Sequence, residues 1–419
     1  MNDLSWIDQA LSAARPQVVG ALMRYFRDLD TAEEAFQEAC LRALKNWPQK
    51  GPPRDPAAWL IFVGRNAGVD DIRKRSRQQA LPDEETLSDL DDTEPSMAER
   101  LDNADYRDDV LRLLFICCHP DLPATQQIAM ALRIVSGLTV PEIARAFLVS
   151  EAAMEQRITR AKRKVAAAGV EFETPSAVDR VERIATVTAM VYLLFNEGYS
   201  ASGGEAHIRE PLCDEAIRLG YLLLRMYPGE PELMGLVALM LFQHARVPAR
   251  LDAEGEIVLL DEQDRSLWRG KLMAEAAALI EKAARHSRPG TYQLQAAIAY
   301  EHAKARQAAD TDWRAIDQYY QMLETLRPSP VVTLNRAVAV SKHAGATDAL
   351  QLIEPLSGAL EGYFHFHGVR GALLLELGRS REARAAFEKA ISCANTTAEA
   401  SHIRRHLDRL QKGAEGMPA

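Results

Sequence analysis

Leucine and alanine recur at three- and four-residue steps along almost the whole chain, and no stretch sustains the apolar-polar alternation of a half-buried strand. This period constrains the fold more than any other feature. It predicts an all-α protein in which each helix buries one stripe against its neighbours. The weak exception is Glu256-Ile257-Val258-Leu259-Leu260, which suits a short hairpin arm. The chain has 419 residues, enough for two or three domains. Its 47% apolar and 26% charged residues are those of a soluble globular protein. The longest apolar run, Leu233 to Phe242, falls well short of the roughly 20 residues a membrane helix needs, and the start lacks the layout of a signal peptide. The five cysteines are too few and too irregularly spaced for a disulfide framework, and Cys117 and Cys118 are adjacent. A cytoplasmic protein with no membrane attachment is expected.

The net charge of −9 argues against a generally adhesive nucleic-acid coat protein. That total conceals a division. Twelve acidic residues between Asp83 and Asp109 face only Arg100 and Arg107, whereas the rest of residues 1–170 carries a surplus of six basic charges. The cations cluster at Arg73-Lys74-Arg75-x-Arg77 and at Arg157, Arg160, Lys162, Arg163 and Lys164. Two basic helical pieces therefore flank an acidic, proline-containing tether.

Breaks in the periodicity divide the chain into residues 1–82, an acidic linker at 83–104, a second small helical domain at 105–170, and a larger helical region at 175–412. The first domain should hold about four helices, interrupted at Trp47-Pro48 and across Gly51-Pro52-Pro53. Near the end of the chain, residues 337–355 align with 371–389 at an offset of 34. Ala349 then falls on Ala383, Ile353 on Phe387, and Gly345 one position from Gly378. That period resembles tetratricopeptide repeats, in which small alanines let paired helices approach. The expected fold class is thus all-α: two small helical domains, the second a helix-turn-helix, and a C-terminal solenoid resembling tetratricopeptide repeats.

The sharpest local signal lies at residues 138–164. A first helix burying Ile143, Ala144 and Phe147 turns at Leu148-Val149, and Ser150 caps a second helix whose Met154, Ile158 and Ala161 face inward. The outward face offers Glu151, Ala152, Glu155, Gln156, Arg157, Arg160 and Arg163: small or amide side chains to meet bases, and cations to meet phosphates. An ordinary helical hairpin is the competing reading. In the first domain, Asp30-x-Ala32-Glu33-Glu34-Ala35-x-Gln37-Glu38 suits a helix with Ala35, Ala39 and Leu41 packed inward and its carboxylates outward. Pro56-x-x-Trp59-Leu60-x3-Gly64-Arg65-Asn66-x3-Asp70-x-x-Arg73-Lys74 combines an aromatic, an amide and cations, the means of holding single-stranded nucleic acid. A core role for Trp59 is the alternative.

In their order these motifs resemble the bacterial RNA polymerase sigma factors of the extracytoplasmic-function type, over residues 5–170. The resemblance implies that Asp30, Glu34, Gln37 and Glu38 bind core polymerase. It likewise implies that Trp59, Arg65, Asn66, Asp70, Arg73 and Lys74 lie near the unpaired −10 strand, and that Ser150, Ala152, Ala153, Gln156, Arg157 and Arg160 read the −35 element. It further implies that the acidic tether occupies a positively charged polymerase channel. Phe115-Ile116-Cys117-Cys118-His119-Pro120, Leu194-Phe195-Asn196-Glu197-Gly198-Tyr199-Ser200, Asp261-x-Gln263-Asp264-Arg265-Ser266 and Pro289-Gly290-x-Tyr292-Gln293 look like the subgroup with a long tetratricopeptide-like extension. Asn196, Glu197, Tyr199, Asp264, Arg265, Tyr292 and Gln293 are the candidate regulatory residues. Ala152-Ala153 and Gln156 stand where many relatives have Gly-Thr and Ser, so the −35 sequence is not carried over.

Cys117-Cys118-His119 and His365-x-His367 lack a second Cys/His pair at a useful spacing, so no metal is expected. No phosphate-binding glycine loop, His-Glu-x-x-His or Gly-x-Ser-x-Gly occurs, so neither a cofactor nor catalysis is expected. The expected partners are bacterial core RNA polymerase, promoter DNA and a protein or small-molecule regulator of the third region. Two rival readings are a DNA-binding repressor or activator without polymerase docking, and a scaffold or ligand sensor centred on residues 175–410.

Overall fold

The computed structural model describes residues 5–51, 53–76, 103–147, 149–167, 177–199, 209–252 and 258–394, together with residues 400, 403, 404 and 407. Seventeen α-helices and no strand occur among these residues. The chain forms two compact units, 1–193 and 194–419.

In the first unit, helices α1 (Ser5–Phe26), α2 (Leu29–Lys50) and α3 (Pro56–Ser76) pack on one another. Asp28 caps α2 by accepting from the Thr31 N–H at 2.8 Å. Three helices stand where the sequence suggested four, because α2 runs straight through Trp47-Pro48. Pro48 lies in the last turn, where it removes one backbone bond rather than interrupting a ladder. Trp47 is meanwhile buried between Trp6 and Trp59, with ring centroids 6.1 and 5.4 Å away. The helix ends at Gly51, whose N–H donates to the Trp47 carbonyl at 2.9 Å.

Helices α4 (Asn103–Cys117), α5 (Ala124–Ile134), α6 (Val140–Ala146) and α7 (Glu151–Ala167) follow. Helix α4 begins two residues inside the stretch expected to be linker; residues 77–102, most of that tether, lie outside the described residues. Cys117 and Cys118 are core residues, and burial raises the Cys118 thiol to about 12 and pushes Cys117 up as well. Both are protonated and inert at neutral pH.

Helix α8 (Ala177–Tyr199) contains the division between the units. The second unit continues with α9 (Glu210–Met226), α10 (Pro231–Ala245), α11 (Gly270–Ala284), α12 (Thr291–Lys304), α13 (Trp313–Leu326), α14 (Pro330–His343), α15 (Ala346–Ile353), α16 (Phe364–Glu376) and α17 (Ser380–Ser392). From α9 onward each helix packs mainly on the next or the next but one, the neighbour-only arrangement of a solenoid. The 34-residue offset is structural: α14 and α15 form one helical pair, α16 and α17 the next. Gly345 and Gly378 open the turns at φ +107° and +73°, in the left-handed region. Ala349, Ile353, Ala383 and Phe387 share one core. Of the expected hairpin arm, the described residues 258–260 form no strand: Leu251 is a bridge residue, Val258 N–H donates to the Arg250 carbonyl, and the chain turns into a short 3-10 helix at Leu260–Glu262. Residues 256 and 257 of that arm lie outside the described residues.

Candidate functional site

The helix-turn-helix forms as its spacing requires. Thr139 and Glu142 close a reciprocal capping box at the start of α6, with Glu142 Oε2 2.7 Å from the Thr139 N–H. That bond holds the Glu142 carboxyl below its usual range. Ile143, Ala144 and Phe147 on one helix and Met154, Ile158, Ala161 and Val165 on the other form the buried seam. Ser150 Oγ accepts from the Ala153 N–H at 3.3 Å, so its hydroxyl serves the helix start. Ala152, Ala153, Gln156 and Arg160 are exposed along α7, and Arg157 is half-buried. An open face of small, amide and cationic side chains can enter a major groove while the flanking cations meet phosphates.

On α2, Asp30, Glu34 and Gln37 are exposed, and Glu38 pairs with Arg42 at 3.1 Å. Two details differ from the sequence reading. Leu41 points outward at 56% exposure, and Leu44 joins it at 46%, because Ala35, Phe36, Ala39 and Ala43 already fill the inward stripe. Glu33 is buried rather than outward. The outer face of α2 is therefore acidic with an apolar patch toward its C-terminal half, a combination suited to a protein partner. Charge spacing alone hides the two leucines; a helical wheel drawn about Ala35, Ala39 and Ala43 reveals them.

On α3, Trp59 is half-buried against Trp47, and Arg65 and Asn66 are exposed. The Arg65 guanidinium lies 4.2 Å from the Tyr25 ring centroid, presenting a cation and an exposed aromatic side by side. Asp70, Arg73 and Lys74 belong to α3, but their side chains lie outside the described residues.

The first unit also ties the α2 face to the second helix of the helix-turn-helix. Lys162 on α7 donates to Asp30 Oδ1 and Glu33 Oε2, both at 2.7 Å. Arg15 on α1 reaches Glu33 at 3.0 Å and donates to the Ile134 and Arg133 carbonyls at 3.0 and 3.2 Å. Burial opposes the charge on Lys162, but Glu33 and Asp30 outweigh it and hold the ammonium above its usual range. Arg24 meets Asp109 on α4 at 3.3 Å. Sequence reasoning assigned Lys162 to a basic cluster and had no signal for its acidic partners, which stand 129 and 132 residues away.

The C-terminal candidates separate into two groups. Asn196, Glu197 and Tyr199 lie at the end of α8, where Glu197 pairs with Arg209 at 2.9 Å. Asp264 caps the short 3-10 helix Arg265–Leu267 by accepting from Ser266, and Arg265 donates to the His302 and Ala305 carbonyls. Tyr292 and Gln293 belong elsewhere, at the start of α12. There the Glu232 carboxylate of α10 accepts from the Tyr292 N–H at 2.7 Å, from the Gln293 N–H at 3.3 Å, from the Gln293 side chain at 3.2 Å and from Thr291 Oγ1 at 3.1 Å. Gln293 is buried and serves the junction between helices. No group of three or more His, Cys, Asp or Glu able to hold a metal occurs among the described residues.

The family models place names on this architecture. Sigma-70 region 2 matches residues 11–78, Sigma-70 region 4 matches residues 112–165, and a family of unknown function (DUF6596) matches residues 183–284. The chain is 65% identical over 410 residues to the uncharacterized protein R00370 of Rhizobium meliloti (strain 1021), covering 98% of this chain and 97% of that one. It is 26% identical over 155 residues to the ECF RNA polymerase sigma factor EcfG of Rhodopseudomonas palustris (strain TIE-1), covering 37% of this chain and 80% of that one. No solved structure matches. The Sigma-70 region 2 and region 4 matches make the chain an RNA polymerase sigma factor. The chain belongs to the extracytoplasmic-function type and carries a helical extension beyond its two sigma regions.

Proposed function

We propose that this sigma factor docks on core polymerase through the outer face of α2, holds the unpaired −10 strand along α3, reads the −35 element with α7, and is regulated by its C-terminal helical unit. Asp30, Glu34, Gln37 and Glu38 supply the polar part of the docking face, and Leu41 and Leu44 its apolar part further along the helix. Trp59, Arg65 and Asn66, with Asp70, Arg73 and Lys74 further along the helix, serve the displaced strand. Flipping a base out of the stack costs roughly a few kcal/mol, which polymerase and −35 contacts offset. The protein acts by binding rather than by catalysis and works in the cytoplasm. No helix among the described residues is long and apolar enough to cross a membrane. The single observation that carries this reading is the pairing of an exposed acidic-apolar helix with a capped helix-turn-helix in one unit.

The arrangement corresponds to a closed state. The two promoter elements lie about 25 base pairs apart, or about 85 Å at roughly 3.4 Å per pair. Helix α3 packs on α2, and Lys162 joins α2 to α7, so the unit holds the helices assigned to the two elements together; the Lys162 bridges to Asp30 and Glu33 are expected to break on promoter binding. The test of the docking role is run-off transcription with purified core enzyme and the promoter upstream of the protein's own gene. Glu34→Lys with Glu38→Lys should abolish transcription and association with core. The fold should persist, since exposed charge changes rarely alter stability by more than about 0.5 kcal/mol. Unchanged co-purification with core would remove the docking assignment.

A further inference from the structure

Two C-terminal motifs that promoter reading does not use, around Tyr199 and Arg265, converge in the second unit on a group of cations. The Arg250 guanidinium lies 3.9 Å from the Tyr199 ring centroid and donates to the Tyr199 carbonyl at 2.7 Å. Arg246, just beyond α10, donates to the Tyr199 hydroxyl at 3.3 Å. Arg265 caps the C-terminus of α12 through the His302 and Ala305 carbonyls and packs over Trp268. The His302 ring stands edge-on to Trp313 at 5.2 Å. Burial lowers the proton affinity of Arg265 and His302; Asp261 opposes that shift, and the nearby charge of Arg246 adds to it at both.

All three arginines are half-buried, and none makes an ion pair among the described residues. Elsewhere in the unit the half-buried arginines 209, 218, 269 and 336 each meet a carboxylate at 2.7 to 2.9 Å. Asp261 and Asp310 act on Arg265 from a distance without pairing with it: both are exposed, and Asp261 faces Lys342 at 3.5 Å. Arg265 Nη2, His302 Nδ1 and Gln263 Oε1 are buried without a hydrogen-bond partner. Helix C-termini offset part of the charge on all three: Arg246 follows α10, Arg250 donates to the last carbonyl of α8, and Arg265 donates at the end of α12. Half-buried guanidinium groups without a carboxylate partner, beside the unsatisfied Arg265 Nη2, favour a bound anion.

We propose that Tyr199, Arg246, Arg250, Arg265 and His302 form a binding site for a small, multiply charged oxyanion, a phosphate or a polycarboxylate. The guanidinium groups supply planar paired donors of the kind that carboxylate and phosphate oxygens accept. The site lies wholly within the second unit and is independent of the docking and promoter assignments above.

The test is calorimetric titration of the full-length protein with inorganic phosphate and, separately, with succinate, against chloride at equal ionic strength, supported by thermal unfolding. One or both oxyanions should bind with one-to-one stoichiometry and raise the unfolding temperature, and the arm that responds identifies the ligand's charged group. Arg250→Gln and Arg246→Gln should each weaken binding at least tenfold. Arg288→Gln, at an exposed arginine outside the group, should bind like wild type. If Arg246→Gln does not fold, Tyr199→Phe replaces it, removing only the hydroxyl that Arg246 contacts, and should weaken binding severalfold. The proposal is overturned if neither oxyanion exceeds chloride, if the variants bind like wild type, or if Arg288→Gln loses as much affinity as Arg250→Gln.

Discussion

Arg157 and Arg160 sit one turn apart on α7 yet differ in surroundings, the first half-buried and the second exposed. Each alanine substitution should weaken promoter binding with a salt-dependence slope reduced by about one, as expected when one phosphate contact is lost. Arg157→Ala should also lower stability slightly, because its stem covers apolar surface. Equal salt slopes in mutant and wild type would argue against phosphate contact. Lys162, two residues further on, belongs to the same basic run by sequence but makes no such offer to DNA in this state, since Asp30 and Glu33 occupy it. Neighbours in one charge cluster thus have different work.

At the scale of elements, the second unit depends on close approaches that only small residues allow. A Cβ on Gly371 would sit 2.6 Å from the Phe387 ring, so α16 and α17 meet there with no space to spare. Gly371→Ala should therefore destabilise the unit by about 1–3 kcal/mol through overpacking, read as a lowered urea midpoint. Combining it with Phe387→Leu should cost less than the sum of the single changes, because the residues are in contact. Strict additivity would mean that the two helices separate freely at this point. The start of α12 is held differently, by the Glu232 carboxylate of another helix taking the place of a local cap.

For the whole molecule, the expectation is a competition between the closed first unit and polymerase for the same acidic helix. Lys162→Glu should open that unit and strengthen association with core severalfold in the absence of DNA. Weaker or unchanged binding would show that the bridge does not restrain docking. A chain ending after Tyr199 retains the whole of α8, part of which belongs to the first unit, as does Arg183 over Phe115 at 5.0 Å. Compared with the full-length protein, this shortened chain should differ in promoter-specific transcription or in core affinity. Equality in both, with and without cell extract, would remove the regulatory role of the extension.

The sequence by itself determined the helical class, the helix-turn-helix and the final repeat. These rest on local periodicity, on caps such as Thr139 with Glu142, and on Gly345 and Gly378 at their turns, all of which act within a few residues. It also drew Tyr199 and Arg265 out as unusual, without showing that Arg246 joins them. Tertiary structure alone decided the rest. Whether Pro48 broke α2 depended on Trp6 and Trp59, and whether Leu41 faced inward depended on which stripe α1 and α3 left free. Glu33 looked like any outward carboxylate until Arg15 and Lys162 closed over it. Burial of a charge depends on partners far along the chain, and helical periodicity carries no information about which distant residue will supply them.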